Sequence, residues 1–261
     1  MEIDVNTKQN KLSMPMAIII AGVLIAGAIY FSSIKKNETN PINGNGEKIT
    51  NIAPIGAMDR ILGDSKAKVV IVMYEDFQCP FCAAVGGSLK NDSPVIQYLK
   101  KGDPSWTPFM PDITKNYIDS GKVSFVFRDW AFLGDEAKNR GKEDESTKSA
   151  EAARCAGDQG KFWEFHDYLY SHQNGENQGG FSNSNLKTFA KNIGLDTATF
   201  DQCLDSNKYE QAVNDSKIEG TKAGVTGTPK GFILRDGKVV STIDGAEPLS
   251  SVKSKIDAAL K

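Results

Sequence analysis

The feature that most constrains the fold of this chain is a pair of cysteines placed directly after a predicted buried strand. The run Val69–Tyr74 is continuous, apolar and rich in β-branched residues, which is typical of a central strand. Cys79-Pro80-Phe81-Cys82 follows shortly afterwards. The segment 83–100 then has the apolar spacing of a helix, with Pro94 expected to kink it or end it partway. The sequence therefore predicts a strand, a Cys-x-x-Cys turn and a helix in succession.

Two cysteines at the start of a helix are suited to thiol–disulfide exchange. The positive end of the helix dipole favours a thiolate on Cys79, and Cys82 lies one turn away, where it can resolve a mixed disulfide. The same spacing also occurs in half of a zinc site and in chemically inert cysteine pairs. The position of this pair, after a strand and at a helix start, favours the redox interpretation.

A second motif, Gly227-Thr228-Pro229, directly precedes the apolar run Gly231–Arg235. Proline cannot donate a hydrogen bond to a sheet, and bonds before proline are the ones that can be cis. A cis bond here is expected to turn the carbonyl and N–H of Thr228 toward an incoming extended chain. The alternative is an ordinary turn before a strand.

The N-terminal region carries a candidate membrane segment. No residue from Leu12 to Ile34 is charged, and about 20 apolar residues suffice for a transmembrane helix. We therefore predict a transmembrane anchor at 12–34 after a cytoplasmic tail at 1–11. Ala26-Gly27-Ala28 resembles a signal-peptidase site, so cleavage is an alternative, as is a buried core helix. Residues 35–58 are rich in Asn, Gly and Pro, which predicts a flexible linker.

The remainder of the chain is predicted to form one domain at 59–261. The 31 Lys and Arg residues against 33 Asp and Glu residues give a net charge of −2, which argues against nucleic-acid binding. A second strand is predicted at 123–128, a solvated loop at 135–148 and a helical insertion at about 146–222. Asp236-Gly237 separates two strand-like runs, which indicates a hairpin. A final amphipathic helix is predicted at 249–260.

Three segments together resemble the DsbA-like thiol-disulfide oxidoreductases: Glu75–Cys82, Cys155–Trp163 and Gly227-Thr228-Pro229. They are most similar to the membrane-anchored branch found outside the cytoplasm of bacteria. The resemblance covers about 59–261. It implies an α/β thioredoxin-like fold, with a central mixed sheet flanked by helices, an inserted helical subdomain and a cis peptide bond at Pro229.

The resemblance also implies a function. Cys79 is expected to form a mixed disulfide with the substrate, Cys82 to resolve it, and Thr228-Pro229 to align the substrate backbone. The implied partners are exported proteins with cysteines and a quinone-linked membrane enzyme that restores the Cys79–Cys82 disulfide. The implied location is the cell membrane, through one span, with the catalytic domain outside the cytoplasm. We expect no cofactor, no metal and no nucleic acid.

The chain departs from many relatives at two positions. They have histidine between the cysteines, whereas Phe81 stands here, which is expected to make the disulfide less oxidising. They also have a buried acid six residues before the first cysteine, where this chain has Met73. Glu75 and Asp76 are near, and alternation along a strand places one of them on the relevant face. We interpret both as solvated loop acids.

The other two cysteines, Cys155 and Cys203, lie on predicted helices of the insertion. In an oxidising compartment they would most simply form a structural disulfide, worth about 4 kcal/mol by loop entropy. Buried free thiols and a second redox relay are alternatives. His166 and His172 have no visible partner ligands, which favours core-edge or surface positions.

Phe77 and Phe81 flank Cys79 and are candidates for an apolar substrate-binding surface. The leading hypothesis is an oxidase that introduces disulfides. The alternatives are a reductase or isomerase in the same compartment, and a non-redox binding or chaperone module with merely structural cysteines.

Overall fold

The predicted buried strand is the central strand of a five-stranded sheet in a computed structural model, which describes residues 52–261. The strand order is β1-β3-β2-β4-β5. Strand β2 is parallel to β3 and antiparallel to β4. The predicted mixed sheet flanked by helices is thus confirmed. The predicted tail and membrane anchor at 1–34 lie outside the described residues, and no helix within 52–261 has the length and apolarity needed to cross a membrane.

Within residues 52–261, the elements follow one another in the order two strands, three helices, one strand, six helices, a hairpin and a final helix. The strands are β1 (Arg60–Leu62), β2 (Val69–Glu75), β3 (Val123–Asp129), β4 (Lys230–Arg235) and β5 (Lys238–Asp244). The helices are α1 (Pro80–Gly86), α2 (Pro94–Gly102), α3 (Met110–Ile113, continued by a π-helical turn at Thr114–Ile118), α4 (Asp135–Asn139), α5 (Glu145–Asp158), α6 (Phe162–Ser171), α7 (Asn183–Asn192), α8 (Thr197–Asp205), α9 (Glu210–Lys222) and α10 (Leu249–Leu260).

Alternation along β2 separates two hydrophobic clusters. Ile71 and Met73 belong to the larger cluster, which includes the buried faces of α1, α5, α6 and α10. Val72 and Tyr74 belong to the smaller cluster on the opposite face. Because side chains two residues apart in a strand share a face, any residue of odd number at the end of β2 points toward α1 and α6.

Local sequence signals account for the boundaries around the motif. The helix predicted over 83–100 is two helices, because Gly87 ends α1 in the left-handed conformation (φ 82°). Pro94 then starts α2, where the Ser93 side chain accepts a hydrogen bond from the Ile96 N–H. The hairpin is confirmed, with Asp236 and Gly237 both at positive φ.

Two predicted loop regions are more ordered than expected. Part of the segment 135–148, expected to be a loop, forms helix α4. The last residues of the predicted flexible linker are attached to the domain, since Arg128 donates hydrogen bonds to the carbonyls of Ala53 and Pro54. The backbone N–H of Ala53 also donates to Glu219. The rest of the predicted linker, up to residue 51, lies outside the described residues.

Within residues 52–261, six helices, α4 to α9, lie between β3 and β4 in the chain, and a disulfide joins two of them. Cys155 of α5 and Cys203 of α8 are bonded with an S–S distance of 2.03 Å, and both are buried. The predicted pairing is confirmed, and it excludes a zinc site formed by all four cysteines.

Replacement of both Cys155 and Cys203 by alanine should lower the free energy of unfolding by about 4 kcal/mol, because the bridge closes a long loop in the unfolded chain. Urea unfolding of the variant and the parent measures this difference. Unfolding midpoints that coincide would contradict a stabilising role for the bridge.

Candidate active site

The Cys-Pro-Phe-Cys motif begins four residues after the end of β2. Cys79 is the N-terminal cap of α1, and Pro80 is its first residue. The Cys79 N–H donates to the Asp76 carbonyl at 2.9 Å, and the Cys79 carbonyl accepts from the Ala83 N–H at 3.2 Å. The turn and the first bond of the helix thereby fix the position of Cys79 at the helix start. The strand–motif–helix arrangement predicted from the sequence is confirmed.

The two thiols of this motif are free and close to each other. Cys79 is 4% exposed and Cys82 is 1% exposed. Burial raises the pKa of the Cys82 thiol well above its usual value, and its hydrogen bond to Cys79 and the charges of Cys79 and Glu75 raise it further. Cys82 is therefore held as a neutral thiol in this reduced form of the site.

The Thr228–Pro229 motif lies beside Cys79 although it is about 150 residues away in the chain. The Thr228–Pro229 bond is cis, as predicted. Strand β4 begins at Lys230, which is the register partner of Tyr74 in the antiparallel pair with β2. The start of β4 is therefore adjacent to the end of β2, and the Cys79 thiol donates to the Thr228 carbonyl at 3.4 Å.

The two phenylalanines proposed to flank the site have different environments. Phe77 is 1% exposed, and its ring lies 5.1 Å from that of Phe127 and 5.2 Å from that of Tyr170. The expectation that Phe77 forms part of an exposed surface is wrong, because the turn directs its side chain into the core. Phe81 is half-buried, and its ring contacts that of Tyr98.

Asp76 is not a solvated loop acid, and that expectation is wrong. Its side chain is 1% exposed and accepts four hydrogen bonds. The donors are the N–H groups of Gln78 (2.8 Å), Phe132 (2.9 Å) and Leu133 (3.0 Å) and the hydroxyl of Ser146 (2.9 Å). Burial raises the pKa of Asp76, and these four donors oppose that effect. Asp76 therefore connects the motif turn to the segment after β3 and to α5.

Glu75 is also buried, at 4% exposure, which again contradicts the expected solvated acid. It lies two residues after Met73 and therefore on the same face of β2, toward α1 and α6. The Tyr170 hydroxyl donates to the Glu75 carboxyl at 2.5 Å. Burial raises the pKa of Glu75, while the charge of His166 and the bond from Tyr170 lower it. Glu75 therefore provides a buried carboxyl on the same face of β2 as Met73, two residues further along the strand.

Polar side chains of the loop after α6 also hold the motif turn. Gln173 donates from Nε2 to the carbonyls of Phe77 at 2.6 Å and of Cys79 at 3.1 Å. The Gln78 amide donates to Ser146 and Asn177, and its carbonyl accepts from the Asn177 N–H. The sequence analysis did not identify Tyr170 or Gln173, because neither belongs to a motif and both are about 95 residues from the cysteines.

The buried carboxyl of Glu75 leads to a prediction on stability. Its pKa is raised in the folded protein above the usual 4.5, so between those two pKa values the folded state binds more protons than the unfolded state. The contribution of the Glu75 carboxyl to the free energy of unfolding is therefore fully present below pH 4.5. It is lost as the pH rises through the pKa that this carboxyl has in the folded protein. Glu75→Gln should remove this loss, so the variant's stability relative to the parent should increase with pH.

The increase is limited to about 1.4 kcal/mol per pH unit, the value for one proton. Urea unfolding of the dithiol form between pH 4 and 8 measures it. Glu164→Gln, on the exposed side of α6, is the matched control and should show no such trend. A constant difference between Glu75→Gln and the parent would contradict a raised pKa.

Comparison with known proteins agrees with this geometry. The Thioredoxin_4 family model, described as thioredoxin, matches residues 57–102 and 105–258. The chain is 24% identical over 261 residues to the probable disulfide bond formation protein D of Bacillus cereus, with 97% of this chain and 99% of that protein covered. Over 175 residues it is 26% identical to the Na(+)/H(+) antiporter NhaA 1 of Salinispora arenicola, but it spans only 21% of that protein.

Solved structures show the same fold. Oxidised BdbD from Bacillus subtilis superimposes with a TM-score of 0.62 at 20% identity, covering 85% of this chain and 99% of that one. Wolbachia pipientis alpha-DsbA1 gives a TM-score of 0.59 at 23% identity, covering 79% of this chain and 92% of that one. The resemblance to DsbA-like proteins stated from the motifs is confirmed. This chain belongs to the thioredoxin family.

Proposed function

We propose that this chain is a protein thiol-disulfide oxidoreductase that introduces disulfides into exported proteins. The observation that carries the proposal is the juxtaposition of two free thiols at a helix start with the Thr228 carbonyl at a cis peptide bond. Cys79 is the more exposed of the two thiols, and Cys82 is held as a neutral thiol. This difference suits a pair in which one sulfur meets the substrate and the other resolves the intermediate.

The oxidative reaction proceeds in two exchanges. A substrate thiolate attacks the Cys79 sulfur, the Cys79–Cys82 bond breaks, and Cys82 leaves with the electron pair. Because Cys82 is buried, its thiolate takes up a proton, and the Glu75 carboxyl, whose pKa is raised by burial, is the acid on its face of the sheet. A second substrate thiolate then attacks the first substrate sulfur and releases Cys79. The substrate gains a disulfide, and the protein gains two electrons and two protons.

Substrate alignment is assigned to the loop before β4. The Thr228 backbone lies beside the motif, since its carbonyl accepts from the Cys79 thiol, and the half-buried ring of Phe81 lies within the motif. Both suit an extended chain with apolar side chains. Backbone pairing at such a site accepts many sequences, because it uses groups that every peptide has. This property suits a protein that acts on many exported substrates.

The cellular context follows from the N-terminal region and the family. We place the catalytic domain outside the cytoplasm, attached to the cell membrane by a retained span at 12–34 and a linker that ends before Ala53. A quinone-linked membrane enzyme is the proposed acceptor of the two electrons from reduced Cys79 and Cys82. The buried Cys155–Cys203 disulfide is consistent with an oxidising compartment.

The reduction potential of the Cys79–Cys82 pair tests the direction of the reaction. The full chain in detergent is equilibrated with glutathione mixtures, and the fraction of dithiol is measured by thiol alkylation. We expect a value above about −180 mV, the level of a disulfide isomerase, as for a disulfide donor. A value near −270 mV, as in thioredoxin, would instead assign a reductase, a direction that Phe81 favours by replacing a hydrogen-bond donor. If the fraction of dithiol does not change with the glutathione mixture, the result would favour the alternative of a non-redox binding module.

A further inference from the structure

Gln173 contacts the cysteine motif directly and has no part in the sulfur and proton transfers. It lies two residues after the end of α6 and is half-buried. Its Nε2 donates to two carbonyls, that of Phe77 at 2.6 Å and that of Cys79 at 3.1 Å. A primary amide has two N–H groups, so one donor is available for each carbonyl. Gln173 thereby joins the two carbonyls on either side of Gln78.

The Phe77 carbonyl depends on this amide. Phe77 is buried, and no other donor to its carbonyl is found among residues 52–261. A buried carbonyl without a donor is costly, because it has given up its hydrogen bonds to water. A side chain without N–H groups at position 173 would leave this oxygen unpaired, and the turn between β2 and α1 would shift to relieve it.

The Cys79 carbonyl is the second acceptor of this amide. It also accepts from the Ala83 N–H at 3.2 Å, while the Cys79 N–H donates to the Asp76 carbonyl at 2.9 Å. The Cys79 side chain makes no cap bond to α1, and its thiol donates to the Thr228 carbonyl. Among residues 52–261, Gln173 is therefore the one side chain that holds the backbone of Cys79.

The loop that carries Gln173 is attached to α5 as well as to the motif. The N–H groups of Gly179 and Phe181 each donate to the buried Glu145 carboxylate at 2.7 Å. This attachment uses no atom of the cysteine motif. The Gln173 amide therefore connects the motif to a loop whose position is fixed by a separate element.

We propose that Gln173 is a positioning residue that fixes the Cys79 sulfur for disulfide exchange by holding the backbone of the motif. This inference rests on the proposed function. The substrate thiolate supplies the electron pair of the new bond to Cys79, and Cys82 leaves with the pair of the old bond. The three sulfurs must be aligned for this exchange. Gln173 neither gains nor loses electrons or protons; it determines where the Cys79 sulfur meets the substrate.

The first test compares Gln173→Met with Gln178→Met in the full chain in detergent. Methionine has nearly the length of glutamine but no N–H group. Gln178 is the matched control, because it lies in the same loop, is exposed and donates to the Glu176 carbonyl at 3.1 Å. The disulfide form is mixed with excess dithiol peptide, which gives the limiting rate constant and the peptide concentration at half of that rate. Dithiothreitol, which has no peptide backbone, is the second substrate.

We expect Gln173→Met to lower the limiting rate constant about tenfold, with the half-saturating peptide concentration unchanged. One hydrogen bond corresponds to about 2- to 13-fold and a displacement of 1 Å to about 100-fold. The rate with dithiothreitol should fall by the same factor, and Gln178→Met should keep the parent values. Parent-like rates combined with easier unfolding in urea would show a purely structural role and overturn the proposal. A loss with the peptide alone would assign Gln173 to substrate binding and also overturn it.

A second measurement uses only the parent and does not depend on the folding of a variant. NMR follows the exchange of the side-chain amide protons of Gln173 and Gln178 with D₂O. Those of Gln173 should exchange at least about twofold more slowly, the lower limit for one hydrogen bond. Equal exchange rates would overturn the proposal. If the parent oxidises neither dithiol, the proposed function fails and this inference with it, whereas parent turnover with parent-like rates for Gln173→Met contradicts only the role of Gln173.

Discussion

Cys79→Ser is expected to reduce the rate of substrate oxidation by at least about 10³-fold, because a hydroxyl can neither accept nor release a sulfur in disulfide exchange. Cys82→Ser should also abolish turnover, but the two variants should differ in the covalent complexes that they form with other proteins. With a protein that already contains a disulfide, the Cys79 thiolate of this variant can attack that disulfide and form a mixed disulfide while the second substrate sulfur leaves as a thiol, but Cys82, which would displace the bound sulfur, is gone. Covalent complexes with a disulfide-containing protein should therefore accumulate with Cys82→Ser and be absent with Cys79→Ser.

Oxidation of a reduced, unfolded protein with known disulfides measures turnover, and non-reducing gels with mass spectrometry identify the complexes. The control is the variant with alanine at both Cys155 and Cys203, assayed well below its unfolding temperature. We expect that variant to keep the parent rate, because this buried disulfide lies on α5 and α8 and its sulfurs are bonded to each other. Parent-like turnover by Cys79→Ser would show that the chemistry resides elsewhere, and loss of turnover in the control would assign a relay to Cys155 and Cys203.

Arg128→Met is expected to lower the free energy of unfolding by about 3–5 kcal/mol, the range for removal of one partner from a buried ion pair. The Arg128 side chain is 4% exposed. Its guanidinium donates to Asp59 (2.8 and 2.9 Å), Glu219 (2.9 Å), the Tyr74 hydroxyl (3.0 Å) and the carbonyls of Ala53 (3.0 Å) and Pro54 (3.2 Å).

The size of this effect follows from the groups that would lose their partner. Methionine has a similar volume, so the cavity is small, but the carboxylates of Asp59 and Glu219 would lose their cationic partner and the carbonyls of Ala53 and Pro54 would lose their donor. The segment before β1 and helix α9 are both bonded to this one side chain of β3. We therefore also expect faster amide exchange around Ala53 in the variant.

Arg235→Met is the matched control for Arg128. Arg235 lies at the end of β4, is partly exposed, and is 3.8 Å from Asp236. Exposed ion pairs contribute less than about 1 kcal/mol. The loss in free energy of unfolding, measured with urea, should therefore be clearly larger for Arg128→Met than for Arg235→Met. Equal losses for Arg128→Met and Arg235→Met would show that the network around Arg128 does not stabilise the fold.

The chemistry of the motif could be predicted because its signals are local. An apolar run, a proline after the first cysteine and a cysteine three residues later specify a strand end and a helix start from neighbouring residues alone. The same holds for the Asp236-Gly237 hairpin and for the proline after Thr228. Family resemblance added the thioredoxin-like architecture, whereas the helical insertion between β3 and β4 was already predicted from its apolar spacing.

The errors lie where burial depends on distant segments. Glu75 and Asp76 were expected in solvent because charged residues after a strand are usually exposed. Asp76 is buried because Phe132, Leu133 and Ser146, which lie 56 to 70 residues away, supply donors to it. Phe77 is buried for a related reason, since α6 covers the turn that carries it.

The sequence by itself therefore determined which sulfurs can react, because a Cys-x-x-Cys pair at a helix start is a local arrangement. Only the tertiary structure decided which titratable groups are buried on the face of β2 that points toward them. Glu75 meets Tyr170 across 95 residues of chain, because α6 packs against the end of β2. Burial in a low dielectric changes the proton affinity of such groups, and it depends on packing between elements that no local pattern specifies.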